Sequence, residues 1–396
     1  MKKLNIAVMF GGRAVEHEIS IITGLQLIKA LDPEKYMIYP IYIAPSGKWY
    51  YGDKLFEKSI YKNFAKFENN LSEVTLLPKP KLSGLTILKK GKNFNLKNIT
   101  NNTIPIDVFF PAFHGEIGED GRIQGLFEMA EVAFVGNSVT PAAIAMNKQL
   151  CKLILKSVEI PVLPSFVINK FDFLKNSESQ INQLLKTHGL EFFPLFVKPC
   201  NRGSSVGISK AKDKEELIIS LLNVFKIDLQ AIVEPFVANM YEINIAVMDA
   251  EEVIASVVEI PHSETGVLSY EEKYMRGGSK KNADESQGMA SLTRVINPDN
   301  LPQEIKDTVT NYAIKAFKTL GCSGNGRFDF MVDKDSNQIY FNELNPCPGS
   351  LAFYLWVESN PRLLYTEVLD KMINSAIRNH QNKSSLQSFI GFKALN

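Results

Sequence analysis

The sequence predicts an α/β protein whose C-terminal part has α+β character. Three features carry that expectation. The chain opens with an apolar run, Ile6 to Phe10, that ends at Gly11-Gly12 and is followed by a helical pattern and a second apolar run. That order is a βαβ unit and implies a parallel sheet in an N-terminal domain. Near the middle, Leu195-Phe196-Val197-Lys198-Pro199 enters a Gly- and Ser-rich loop and returns as Ile208-Ser209. Towards the end, Phe330-Met331-Val332 and Ile339-Tyr340-Phe341 flank the polar turn Lys334-Asp335-Ser336-Asn337, the pattern of a β-hairpin.

The elements follow in order. In a first unit, 1–137, Ser20 to Leu31 has helical periodicity and Met37 to Ile43 reads as the second strand. From Phe56 to Asn102 the pattern weakens and becomes rich in Lys and Asn, which predicts short strands and surface excursions. Val108-Phe109-Phe110 resumes the sheet and leads into the loop His114 to Gly121. A second unit, 138–233, holds a helix over Pro141 to Leu155 and strands at Ser165 to Ile168 and Leu195 to Pro199. Ile232 to Phe236 opens a third unit, 234–396, which contains the hairpin. Within it, 274–291 is polar and aperiodic, and a structureless stretch of that length inside a domain is commonly a lid.

Composition narrows the class. At 396 residues, 45% hydrophobic and 22% charged, the chain reads as an ordinary soluble protein of two or three domains. Lys plus Arg number 44 against 43 Asp plus Glu, so no field favours nucleic acid or an anionic membrane. No apolar run reaches the ~20 residues that span a bilayer, and the N-terminus lacks the form of a signal peptide. Cys151, Cys200, Cys322 and Cys347 have no paired spacing, which predicts reduced thiols in a cytoplasmic protein.

Chemistry concentrates at four places. Side chains two apart on a strand share a face, so Arg327 and Asp329 point one way, as do Glu343 and Asn345. A turn centred on Ser336 places Asp329 opposite Glu343 and Arg327 opposite Asn345. Oxygen ligands of this kind suit Mg²⁺ carrying nucleotide phosphates; a solvated surface hairpin is the alternative. The glycine-rich loop after Lys198 could wrap phosphates, although no GK[ST] closes it, or it could simply connect strands. Lys198 ends a buried strand, where a lysine needs a partner. His114 to Gly121 and Glu16-His17-Glu18 would sit at the carboxyl ends of parallel strands, where open α/β sheets bind ligands. Turn chemistry or a helix first turn explains them equally well.

Taken in order, these segments resemble the D-alanine–D-alanine ligase family of the ATP-grasp superfamily. The likeness runs through Phe10-Gly11-Gly12 with Glu16-His17-Glu18, His114-Gly115 to Gln124-Gly125, Asn147-Lys148, and Lys198-Pro199 with Gly203 to Gly207. It continues through Tyr270 to Tyr274, Gly326 to Asp329, Asn342 to Asn345, and Pro348-Gly349. The resemblance implies an ATP-grasp fold behind the parallel-sheet domain and ATP-dependent joining of two D-alanines through an acyl phosphate. By analogy Lys148, Lys198 and Ser205 would contact nucleotide phosphates, Glu234 with the Phe236 and Val237 backbone would hold adenine, and Glu242 the ribose. Asp329, Glu343 and Asn345 would carry two Mg²⁺ or Mn²⁺. Glu16 would face the first substrate's ammonium and His114 its carboxyl region. Ser204 and Tyr274 would form a network with Glu16, Lys273 would lie near the transferred phosphate, and Arg327 with the Gly349 backbone would stabilise the oxyanion. The resemblance also implies small-molecule amino-acid partners and a homodimer.

The chain departs from the family pattern in places. Asn147 stands where an aspartate is usual, the hinge Val237 to Glu242 is about one residue longer than usual and lacks the expected glycine before Glu242, and Leu268-Ser269 replaces an aromatic-acid pair. After Asn345 the run Pro346-Cys347-Pro348-Gly349-Ser350 ends at Tyr354 in the place of a serine expected to bind the second substrate's carboxylate. Ser350 or the Tyr354 hydroxyl would have to substitute. A D-alanyl–D-X or other carboxylate–amine ligase is therefore the close alternative, and a non-catalytic nucleotide-binding protein a more distant one.

Overall fold

Three sheets follow one another along the chain, seen in a computed structural model that describes residues 2–80, 82–91, 102–203, 206–261 and 294–386. The expected lid 274–291, Ser204, Ser205, Lys273, Tyr274 and Leu268-Ser269 lie outside the described residues. The first sheet takes β1 (Leu4–Gly11), β2 (Tyr36–Ile43) after α1 (His17–Ala30), β3 (Trp49–Tyr51), β4 (Ser72–Thr75), β5 (Gly84–Lys89), β6 (Thr103–Pro105) and β7 (Val108–Pro111). Their order is β6-β5-β4-β3-β2-β1-β7. Only β2, β1 and β7 run parallel; β3 to β6 are antiparallel. The expectation of a parallel sheet thus holds for three strands. The tight link between β2 and β3 cannot make the crossover that a parallel pair needs. Ile6 to Phe10 are 0% exposed, as a strand covered on both faces must be.

After α2 (Arg122–Ala130), the single helix expected over Pro141 to Leu155 is two, α3 (Val139–Met146) and α4 (Lys148–Ser157). Asn147 breaks them: its extended backbone ends α3, and its side chain accepts from Leu150 N to cap α4, a position Asn favours. The second sheet contains β8 (Phe166–Asn169), β9 (Leu195–Pro199), β10 (Ser209–Ala211) and β11 (Gln230–Pro235), in the order β10-β9-β11-β8, with α5 (Lys170–Thr187) and α6 (Lys214–Val224). β11 therefore lies inside this sheet and does not open the third unit. It pairs with β9 and β8 on its two sides.

The third sheet is β12 (Met240–Asp249), β13 (Val253–Pro261), β14 (Arg294–Ile296), β15 (Asn325–Asp333) and β16 (Ile339–Asn345), with α7 (Gln303–Leu320) packed behind it. The chain ends in α8 (Phe353–Val357) and α9 (Tyr365–Ser384). These last helices return to the beginning: Leu355, Trp356, Leu369 and Ile373 share one core with Ile6, Val8 and Phe10 of β1 and with Ala246 and Met248 of β12. The Tyr36 hydroxyl donates to Asp370 at 2.7 Å across the same contact. Among the described residues no helix is long and apolar enough to cross a membrane.

The closeness of α1 to β1 makes one substitution decisive. In an ordinary helix interior Gly→Ala stabilises by about 1 kcal/mol. A Cβ on Gly24 would lie 2.6 Å from Phe10 Cβ, and overpacking of that kind costs about 1–3 kcal/mol. Gly24→Ala is therefore expected to lower stability in denaturant titration, opposite to the propensity rule.

Candidate active site

The carboxyl ends of β1 and β7 open onto the seam between the three sheets, and the first group found there is Glu16. It is 3% exposed, and among the described residues its Oε2 has no hydrogen-bond partner. Gly115 and Gly203 lie against it: a Cβ on Gly115 would come within 2.3 Å of Oε2, and one on Gly203 within 3.7 Å of Oε1. Glycine at 115 thus permits the close approach of the carboxylate, whereas a side chain at 203 would make only ordinary contact with it. The loop carrying Glu16 is fixed by its neighbour, since His17 Nδ1 donates to the Gly12 carbonyl at 2.6 Å and the Tyr42 hydroxyl lies 3.0 Å from Nε2.

His114 is also buried, but both ring nitrogens are committed. Nδ1 donates to the Cys347 carbonyl at 3.0 Å, which leaves Nε2 to accept from the Thr23 hydroxyl at 2.8 Å. Burial pushes its pKa down to about 4, so at neutral pH the ring is uncharged and ties α1 to the segment after β16. Glu119 does similar work: its carboxylate accepts from Gly115 N at 2.5 Å and Cys347 N at 3.1 Å. Burial, with the nearby Glu16 charge, outweighs those donors and raises the Glu119 pKa to about 8.

The lysines expected at phosphates converge from two elements. Lys148 opens α4, pairs with Glu343 at 3.5 Å and donates to the Arg202 carbonyl at 2.5 Å. Lys198 on β9 bonds Glu234 Oε2 at 2.7 Å and reaches Asn342 Oδ1 at 3.4 Å. Glu234 Oε1 binds Lys152 of α4. Burial alone would raise Glu234, yet the two lysines hold it at about 2. The Glu234 side chain is thus a lysine counter-ion in this structure. The Phe236 N–H is committed to the Pro194 carbonyl at 3.1 Å, and the Phe236 ring lies under the Lys210 ammonium at 3.5 Å. Glu242, on β12, is one of the acids whose charge keeps Lys198 protonated against burial. Val237 lies two residues beyond the end of β11. Asn147 also donates its amide to Asn201 Oδ1 at 2.8 Å, a bond that an aspartate could not make. Arg202 then ties this loop to the N-terminal unit by pairing with Glu116.

The hairpin register is the one expected from the sequence: Arg327 faces Asn345 and Asp329 faces Glu343. It is reached differently, because Phe330 pairs with Phe341, leaving Asn342 as an extra bulged residue. The bulge presents Asn342 to Lys198, the kind of redirection bulges produce. Across the sheet, Glu259, Asn244, Asp329 and Glu343 form one polar row. Arg327 forks onto Asp329 at 2.7 and 2.8 Å, and Asn345 Nδ2 adds 2.8 Å. Among the described residues no three His, Cys, Asp or Glu side chains form a ready metal cage. Two carboxylates and an amide are nevertheless the oxygen-rich set that Mg²⁺ uses when phosphates complete its shell.

Beyond Asn345 the structure spends the hydroxyls proposed for a second substrate. Ser350 donates to Gln26 at 2.8 Å. Tyr354 donates to Glu259 at 3.3 Å and lies under the Arg294 guanidinium at 4.0 Å; Arg294 in turn pairs with Glu259 at 2.6 Å. Burial and Glu259 push the Tyr354 phenol up to about 12. Following Gly349, the residues Ser350, Leu351 and Ala352 have φ of 52°, 52° and 49°. Three consecutive left-handed residues cost roughly 1–2 kcal/mol each. Asn325, donating to the Leu351 carbonyl at 2.5 Å, and burial of all three hold the turn.

Several site residues carry no role in the sequence reading: Lys152, Glu119, Thr23, Gln26, Glu259 and Arg294. Two left a signal. Lys152 is four residues after Lys148 and so shares its helix face, and Glu259 is a lone acid in the apolar run Val257 to Ile260.

Comparison with known proteins agrees with this geometry. Residues 5–137 match the family profile described as D-ala D-ala ligase N-terminus, and 154–374 match D-ala D-ala ligase C-terminus. A D-alanine–D-alanine ligase of Thermosipho melanesiensis is 33% identical over 383 residues, 96% of this chain and 95% of that protein. One of Caldicellulosiruptor bescii is 34% identical over 391 residues, covering 98% and 99%. Among solved structures, the D-alanine-D-alanine ligase from Coxiella burnetii superposes with a TM-score of 0.77 at 27% identity, covering 97% of each chain. VanG D-Ala:D-Ser ligase from Enterococcus faecalis gives 0.74 at 27%, covering 95% and 100%.

The buried imidazole yields a pH prediction. Its folded pKa, about 4, lies below the ordinary 6.5, so the unfolded chain binds more protons between those values. Stability therefore falls as pH drops through that window. Thermal melts of His114→Gln are expected to show a shallower loss there than the wild type; equal slopes would deny His114 the effect.

Proposed function

The chain belongs to the D-alanine–D-alanine ligase family, and from that premise we propose that it joins two D-alanines with conversion of ATP to ADP and phosphate, giving D-alanyl-D-alanine for peptidoglycan. The observation that carries the substrate assignment is the unpartnered Glu16 Oε2, buried between Gly115 and Gly203. A carboxylate oxygen left without a donor at that depth is stabilised by a cation that arrives with the substrate, and the ammonium of an amino acid is such a cation. Glu119 and His114 hold the surrounding loops around it.

Phosphoryl transfer is largely positioning and charge neutralisation. Lys148 and Lys198 supply cations on one side of the seam. Asp329, Glu343 and Asn345 would hold Mg²⁺ or Mn²⁺, whose contribution is to neutralise phosphate charge. The first D-alanine carboxylate takes the γ-phosphoryl group, and the second amino acid's amine displaces phosphate from that acyl phosphate. Arg327, which has five fixed donors and spends two of them on Asp329, and the Gly349 backbone would stabilise the oxyanion of that step. Ser204 and Tyr274 complete the Glu16 network in this reading, Ser205 and Lys273 attend the phosphates, and Glu234, Phe236, Val237 and Glu242 surround the nucleoside. A water-excluding lid at 274–291 would protect the acyl phosphate. Three-unit organisation, a cytoplasmic location and a homodimer belong to the same reading.

One observation favours a second acceptor. Ser350 and Tyr354 both bond within the protein, so the pocket for the second carboxylate differs from a serine-lined one, and a D-alanyl–D-X product is the alternative. A purely nucleotide-binding role is disfavoured by the retention of Lys148, Lys198, Arg327, Asp329, Glu343 and Asn345.

Phosphate release from ATP and Mg²⁺ separates these readings. Turnover with D-alanine alone supports the first; activity only with D-serine, D-lactate or another acceptor replaces it with the second. Glu16→Gln is expected to raise KM for the first D-alanine by roughly ten- to a hundredfold, the loss of one charge-assisted hydrogen bond, while ATP binding measured by calorimetry stays unchanged. An effect on ATP equal to that on D-alanine would refute the ammonium assignment.

A further inference from the structure

A phosphate that takes over the ammonium of Lys198 competes for it with Glu234. In the structure its ammonium is bound to Glu234 Oε2 at 2.7 Å, and Glu234 is 1% exposed. Removing the cation from a buried pair is strongly destabilising, because it strands the opposite charge. A nucleotide that drew Lys198 away would meet that penalty unless Glu234 kept another partner. The other partner is present. Lys152, on the α4 face that carries Lys148, is 3% exposed and bonds Glu234 Oε1. The carboxylate therefore has one oxygen on each lysine, and only one of the two lysines lies beside Asn342 and the hairpin.

We propose that Lys152 is a positioning residue for nucleotide binding: it keeps Glu234 paired while Lys198 exchanges that carboxylate for a phosphate, so the exchange leaves no bare buried charge. The proposal rests on the reading that Lys198 meets the nucleotide phosphates. Lys152 itself touches neither nucleotide nor amino acid. Its role differs from that of a passive link between α4 and β11, since a link would shape the nucleoside pocket and the phosphate site alike.

Calorimetry with MgATP and with adenosine, no amino acid being present, tests it. Lys152→Met is expected to weaken MgATP by roughly tenfold or more, 1.4 kcal/mol per tenfold, while adenosine changes by less than about twofold. Lys152→Arg retains the cation and is expected to bind MgATP like the wild type. In Lys152→Met/Glu234→Gln the neutral amide neither needs a counter-ion nor holds Lys198, and the ratio of the two affinities is expected to recover. Equal weakening of MgATP and adenosine, or no recovery in the double variant, overturns the proposal. Should Lys152→Met not fold, the Arg variant and the double variant still decide it: loss of the MgATP-to-adenosine ratio in both overturns it. A wild type that binds no MgATP would sink the nucleotide reading itself, a separate outcome.

Discussion

A carboxylate in a protein interior must be matched by a cation or by directed N–H donors, and the seam of this molecule is arranged around that requirement. Glu234 is matched by Lys152 and Lys198, Asp329 by Arg327, Glu259 by Arg294, and Glu343 by Lys148. Glu119 accepts from two backbone amides, but burial and the Glu16 charge outweigh them and raise its pKa. Apart from the Arg327–Asp329 pair, which lies within β15, each match joins segments from different parts of the chain. Glu16 is the exception among the described residues: one of its buried oxygens has no hydrogen-bond partner there.

The matched acids also explain how one seam holds the machinery for two kinds of ligand. Lys148, which would attend phosphate, rests on Glu343, which would attend metal, while Lys198 rests on Glu234, so neither cation is stranded. The fork of Arg327 on Asp329 holds the guanidinium in a defined place beside the reacting region. Above it, the left-handed turn at 350–352 is strained, yet Asn325, Gln26 and the core around Trp356 over-determine it. Strain maintained in this way is usual where a chain must present particular groups. Here it sets Gly349 and Tyr354 relative to Arg327.

Much of the candidate site was legible before any coordinates. The strand period and turn residues placed Asp329 across from Glu343, and the glycine pair after β1 marked the sheet edge that carries Glu16. Other parts were hidden for identifiable reasons. Nothing in Ser350-Leu351-Ala352 signals left-handed backbone, since none is Gly or Asn. The break of one helix into two at Asn147 was masked by continuous apolar periodicity. The assignment of β11 to the second sheet depends on pairing with β8 and β9, which lie far from it along the chain, and local pattern carries no information about that choice.

By itself the sequence determined the α/β class, the strands that bear the chemistry, and which acids and cations face each other across the hairpin, because side-chain alternation and turn residues act over a few positions. It also determined the family, through motifs preserved in order. Only the tertiary structure decided what those groups do to one another: that Glu234 is shared by two lysines, that both His114 nitrogens are committed, and that the Ser350 and Tyr354 hydroxyls are spent within the protein. Those outcomes depend on burial and on contacts between residues far apart along the chain, such as Lys152 with Glu234, His114 with Cys347 and Ser350 with Gln26. Electrostatic pairing at such range follows from how the sheets pack, and packing is a property of the whole fold.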